Sequence, residues 1–194
     1  MTLELLAWRR TVSELYAEVR ASTPEAGHAL WTAGRDELFR ASSQSPLLAD
    51  DPRRTAGLPV PPYDPAWRVE VPLEPAPRST RVLEGGVGMR RIGVLRTPWG
   101  TLDAWWLEDY SGGLFVPVKD RTAGRTSYGA GRYLLDTAKG ADLGGSVVLD
   151  LNFLYHPSCA YDPTWSCPLA PEGNVLDVPV TVGEQLPAED VRLS

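Results

Sequence analysis

The chain has 194 residues, of which 43% are hydrophobic and 23% charged, enough for one ordinary domain with a real core and too apolar for a wholly disordered chain. A formal net charge of -6 argues against nucleic-acid or anionic-membrane partners, since both need a dense basic surface. Two cysteines are too few for a disulfide scaffold. The opening MTLELLAWRR sets Glu4 inside its apolar run and its arginines after it, the reverse of a secretory signal. No segment approaches the roughly 20 apolar residues of a membrane span, so a soluble, cytoplasmic protein is expected.

Residues 3 to 20 carry Leu5, Trp8, Val12, Leu15, Tyr16 and Val19 at helical spacing, an amphipathic helix that Thr2 can cap. A second helix is expected from Thr23, with Pro24 at its first position and Glu25 near the positive end of the dipole. It runs to about Arg40 and offers Leu30, Trp31, Leu38 and Phe39 to the core. From Ala41 to Pro65 six prolines predict a connector without regular structure, in which Asp50-Asp51-Pro52-Arg53-Arg54 reads as a solvated turn.

After Pro65 the period falls to two. Trp67, Val69, Val71 and Leu73 alternate with Arg68 and Glu70, a half-buried strand. Further strands are predicted near 80–84, 89–97, 101–108, 114–119, 131–136 and 146–155. Gly85-Gly86, Pro98-Trp99-Gly100, Ser111-Gly112-Gly113 and Gly144-Gly145 supply the turns between them. Such spacing indicates an antiparallel meander, whose edges are best hidden by curling into a barrel or a sandwich. Trp105 and Trp106 must point to opposite faces, so at most one enters the interior.

The chemistry-bearing residues gather between Thr126 and Leu176. SYGAGRYLLD holds a GxG without the lysine and hydroxyl of a phosphate loop; its glycines suit a bulge or a close backbone approach at the start of a strand. A hairpin turning near Ala141 would set Arg132 across from Asp150, with Asn152 close by. Inside a barrel mouth, Arg132, Asp150 and Asn152 could hold a carboxylate or phosphate; on the surface the same pair would be a minor salt bridge. The aromatic set, including Trp99, Tyr110, Phe115, Tyr128, Tyr133, Tyr155, Tyr161 and Trp165, either lines a pocket or fills the core.

The run H-P-S-C-A-Y-D-P-T-W-S-C-P admits several readings. Cys159 and Cys167 can form a disulfide or remain packed thiols. His156, Cys159 and Cys167 could hold a metal with Asp162 or His28 as a fourth ligand. Cys159 could be a nucleophile assisted by His156. The spacing matches no familiar CxxC pattern, and the structural readings are preferred.

The blocks TSYGAGRYL, LDLNFLY, CAYD, SCP and NVL, with WRR…LYAEVR and GRDELFRASSQSPL before them, resemble the bacterial and archaeal domain-of-unknown-function family 1684 over nearly the whole chain. The resemblance implies no activity, since the family has none assigned. It carries a recurrent polar set onto Asp120, Tyr128, Arg132, Tyr133, Asp150, Asn152, Tyr155, Cys159, Cys167 and Asn174. Family members commonly place asparagine where this chain has His156, which weighs against zinc or a Cys–His dyad. Exported members of the family would keep a Cys159–Cys167 bridge more easily.

The expectation is therefore a single mainly β (α+β) domain over 1–194. Its helical part is 1–40, its connector 41–66, its barrel-like or sandwich body of about seven strands 67–186, and its tail 187–194. It would bind a small anionic or aromatic molecule through Arg132, Asp150, Asn152, Tyr155, Tyr128 and Asn174, without cofactor, nucleic acid or membrane. The alternative is an enzyme in the same pocket, with Asp150 or Asp120 as general base and Tyr128 or Tyr133 as donor. A third reading is a structural or interaction protein whose cysteine loop presents a surface.

Overall fold

The computed structural model describes residues 3–82, 86, 88–108, 112–136 and 147–188. Thr2, the turn positions at Gly85, Ser111, Ala141 and Gly144-Gly145, and the aromatic Tyr110 fall outside them.

Helix α1 spans Leu3–Ala21 and buries Val12, Tyr16 and Val19, members of the stripe read from the sequence. It stops because Thr23, extended at φ -64° and ψ 153°, precedes a proline that disfavours helical geometry at that position. Helix α2 spans Pro24–Ala41 and packs against α1. Its buried face is Gly27, His28, Trp31, Arg35 and Phe39, whereas Leu30, expected in the core, is 40% exposed. It docks on the body through His28, whose ring meets Phe153 edge-on and bonds the Asn152 carbonyl at 3.2 Å.

The connector is more ordered than its prolines suggested. It contains a short helix, α3, Arg53–Ala56. The supposed solvated turn is a largely buried ion pair between Arg53 and Asp51, and Arg54 bonds the carbonyls of Leu47 and Leu48. Asp36 reaches from α2 to accept the backbone N–H of Leu58.

Among the described residues seven strands follow: β1 (Arg68–Glu70), β2 (Thr80–Val82), β3 (Gly88–Thr97), β4 (Gly100–Glu108), β5 (Gly113–Val118), β6 (Arg132–Asp136) and β7 (Val148–Asp150). β2 to β6 form a five-stranded antiparallel meander in chain order, and β1 pairs with β7 as a separate ribbon. The chain is thus mainly β, with two antiparallel sheets in a sandwich-like arrangement, two N-terminal helices packed beside them, and a short third helix in the connector. The expected barrel is not closed among the described residues. Its failure is local: Asp150 accepts the N–H of Asn152 and caps a 3-10 turn, Leu151–Phe153, so β7 ends where a strand to 155 was expected. Among the described residues a single bridge, Tyr133 to Tyr155, joins that region to β6.

This geometry also corrects the proposed hairpin. Asp150 lies across from Arg68, and Arg132 across from Val118. The core lies between the helices and the sheets, with Trp31, Leu95, Leu102, Val116, Val118, Leu149 and Leu154 fully enclosed. Trp105 is buried and Trp106 faces outward, as alternation along β4 requires.

Candidate functional site

Arg132 opens β6 with no solvent exposure. Its Nη1 donates to the carbonyls of Val182 (2.7 Å) and Glu184 (3.1 Å), and its Nη2 to the carbonyl of Val180 (2.9 Å) and to Asp120 Oδ2 (2.8 Å). The other oxygen of Asp120 accepts from the N–H and hydroxyl of Thr122 and from the N–H of Val180. The guanidinium is therefore a clamp on the segment 180–184, with both Nη groups engaged and its buried Nε left without a partner among the described residues. Gly131 makes the approach possible: at φ +99° a Cβ would stand 2.7 Å from the Val118 carbonyl oxygen, the close backbone contact its sequence context suggested.

A second buried ion pair holds the same segment to α2. Arg35 Nη2 donates to Glu184 Oε2 at 2.8 Å, and the Tyr161 hydroxyl donates to Glu184 Oε1 at 2.5 Å. The His156 N–H donates to Glu184 at 3.0 Å, and His156 Nδ1 lies 3.4 Å from the carboxylate. Burial works against the charge on Glu184, but Arg35 and His156 hold the carboxyl well below the usual range. Arg35 also lies over the rings of Trp31, Phe39 and Tyr155, cation–π contacts that ease its burial.

The third polar centre opens to solvent. Asp150, 2% exposed, accepts from the amide of Asn152 (2.8 Å) and from the Tyr63 hydroxyl (3.1 Å), with Arg68 Nε at 3.8 Å. Asn152 in turn bridges to both backbone groups of Asp64. Burial pushes the Asp150 carboxyl above its ordinary value despite these donors, and burial beside Asp150 likewise raises the Tyr63 phenol. Asp150 lines a cleft of about 140 Å³ with Arg20, Ser22, Pro24, Arg68, Val148 and Phe153. The cleft lies between the α1–α2 turn and the β1–β7 ribbon.

The remaining candidates are dispersed. Asn174 accepts from the Trp105 indole and donates to the Asp103 carbonyl. The Tyr133 hydroxyl donates to the Pro168 carbonyl, and Tyr155 is packed against Tyr133 and Arg35. Tyr128 donates to the Cys159 carbonyl at 3.4 Å, its phenol pushed up to about 12 by burial and by that neighbour. Cys159 and Cys167 are free thiols held side by side, the Cys159 N–H donating to Cys167 Sγ at 3.3 Å. The imidazole of His156 faces Glu184 and accepts the Tyr128 N–H on Nε2. Asp162 caps the N–H of Thr164. Among the described residues no group of three or more His, Cys, Asp or Glu could hold a metal, and no helix is long and apolar enough to cross a membrane.

A family model described as "Protein of unknown function (DUF1684)" matches residues 54–185. The chain belongs to the DUF1684 family. No curated protein matches it. Its fold is similar to the solution structure of an uncharacterised protein from gene locus rrnAC0354 of Haloarcula marismortui, at 32% identity and a TM-score of 0.57 over 81% of this chain and 91% of that one. The DUF1684 match takes in Asp120, Arg132, Asp150, Asn152 and Glu184, and leaves α1 and α2 outside it.

Of the expected pocket, then, Asp150 and Asn152 come together, while Arg132 is committed to Asp120. Sequence reasoning missed Arg20, Tyr63 and Arg68 around Asp150, and Arg35 and Glu184 in the buried network; Tyr161 it read only as one of the aromatic set. Arg35 carried a legible signal, since it sits one turn from Trp31 and one from Phe39 on the apolar stripe of α2. Glu184 carried none.

Proposed function

We propose that the protein binds a small anionic metabolite in the cleft between the α1–α2 turn and the β1–β7 ribbon. The observation that carries this reading is Asp150, almost wholly buried yet lining a solvent-accessible cleft with Arg20 and Arg68. The guanidinium groups of Arg20 and Arg68 on its walls offer charged donors to a carboxylate or phosphate. Asp150 offers an acceptor or, when protonated, a donor to a hydroxyl or amine on the same ligand. At about 140 Å³ the cleft is well under the roughly 300 Å³ of the smallest usual ligand pockets, so it suits a compact ligand or the polar end of a larger one. The role first given to Arg132 passes to Arg68, which faces Asp150 across the ribbon. The cytoplasm, where both thiols stay reduced, is the compartment this reading assigns.

The test is a thermal-shift screen with inorganic phosphate and short mono- and dicarboxylates. A ligand at a hundred times its Kd stabilises by about 2.7 kcal/mol, or about 5–10 °C for a chain of this size. The shift should disappear in Arg68→Gln and in Asp150→Asn. A panel that moves nothing, or a shift that survives both substitutions, overturns the reading.

The raised Asp150 carboxyl favours a second reading, in which it acts as general acid or base on the bound molecule. Asp150→Asn would then abolish turnover while Arg68→Gln chiefly raised KM. Asp120, paired with Arg132, and Tyr133, bound to a carbonyl, are not poised for that work.

A further inference from the structure

We infer that the groove between α1 and α2 receives a basic amphipathic helix from a partner protein. The groove has a volume of about 570 Å³ and lies outside the stretch the family model matches. On α1 it is lined at positions 4, 7, 8, 11, 14, 15 and 18, and on α2 at 34, 37, 38 and 41. This is the three–four spacing of one helical face on each helix, so together they form the two-helix seat that a third helix packs into. From Glu4 to Glu18 the seat runs about 21 Å at 1.5 Å per residue, a length matched to an elongated occupant. Trp8, Leu15 and Leu38 form its apolar floor.

Charge selects the occupant. Four of the lining residues are glutamates, Glu4, Glu14, Glu18 and Glu37, and none is Lys, Arg or His. Glu37 is engaged by Arg40 at the surface. Glu14 and Glu18 are exposed and one turn apart on the same helix face, where like charges repel. An apolar stripe flanked by lysines or arginines answers both features, covering the floor and neutralising the rim. A second copy of this face would bring glutamate against glutamate, and an anionic membrane surface would be repelled.

The experiment titrates the full chain into a labelled 18-residue peptide of leucine, alanine and lysine, patterned as a helix with lysines flanking one apolar face. A counterpart with glutamate for lysine serves as control. The basic peptide should bind in the micromolar range, weaken with added salt, and lose about ten-fold or more in affinity to Glu14→Lys/Glu18→Lys, while the acidic peptide gains affinity for that variant. Both sites are exposed, so circular dichroism should show its fold unchanged; if it does not, Glu14→Gln/Glu18→Gln with the same loss for the basic peptide carries the test. The inference is overturned if both peptides bind the wild type equally, if neither binds, if charge reversal leaves affinity unchanged, or if the chain alone forms a dimer that occludes the groove.

Discussion

Replacing Arg132 by methionine keeps much of the side chain's length and removes its charge. The change strands the Asp120 carboxylate in a site with no solvent exposure and takes a donor from the carbonyls of Val180, Val182 and Glu184. Breaking a buried pair from one side costs about 3–5 kcal/mol, and the orphaned carbonyls place the loss at the upper end. With a urea m-value of about 2 kcal/mol/M, a loss of about 4 kcal/mol moves the unfolding midpoint down by about 2 M. Thermal unfolding should fall by about 8–16 °C at about 2–4 °C per kcal/mol. Ligand-induced shifts at the Asp150 cleft should persist in whatever fraction stays folded. Arg132→Lys, with one nitrogen in place of a fork, should recover only part of the loss. A midpoint within about 0.3 M of the wild type would refute the clamp, and loss of ligand binding at unchanged stability would return Arg132 to a binding role.

Glu184→Gln should destabilise by about 3–5 kcal/mol at neutral pH because it leaves Arg35 buried without its counter-charge, checked by urea unfolding. A carboxyl whose folded pKa is depressed stabilises above its unfolded value, here 4.5, and that contribution is lost as pH falls through the folded value; the wild type should therefore weaken below about pH 4.5 more steeply than the variant. Asp150 has the opposite sign: its raised pKa penalises the folded state as pH rises through it, so Asp150→Asn should leave stability at pH 7 unchanged or higher, and a loss of more than about 2 kcal/mol would refute this. Gly131→Ala, at φ +99° and 2.7 Å from a carbonyl oxygen, should cost about 2 kcal/mol or more by the same unfolding assay. The Cys159 thiol, pushed up to about 11 by burial and the adjacent Cys167, should alkylate with iodoacetamide at pH 7 about a hundred-fold more slowly than a free thiol, as followed by peptide mass spectrometry.

The helices and the meander were legible because their signals are local. A 3.6-residue stripe marks α1 and α2, and glycine-rich turns mark off β3, β4 and β5. The barrel was misread because one side chain, Asp150, chose to cap the turn at Leu151–Phe153 where apolar neighbours suggested a continuing strand. Asp150 and Asn152 could be picked out as polar residues in an apolar run. Their partners could not, since Tyr63 and Arg68 come from a proline-rich connector and a three-residue strand. Arg132 was singled out through a hairpin register with Asp150 that does not form, and its partner is Asp120. Backbone carbonyls leave no mark in a sequence, and three of its four acceptors are carbonyls.

The segment 180–184 has a bearing on how the chain is made. Arg35 and Glu184 are separated by 149 positions, and the carbonyls that receive Arg132 lie 48 to 52 positions after it. At about 5–20 residues per second, a ribosome that has just added Arg35 needs about 7–30 s to reach its counter-ion. During that interval the helical hairpin and the meander can form, but neither guanidinium can be buried without its acceptors. Gly183, whose missing Cβ would meet Leu154 at 2.7 Å, lets the segment drop into place once it emerges. Native packing is then completed late, when one five-residue stretch brings Arg35 its counter-ion, gives Arg132 three carbonyl acceptors beside Asp120, and joins α2 to β6.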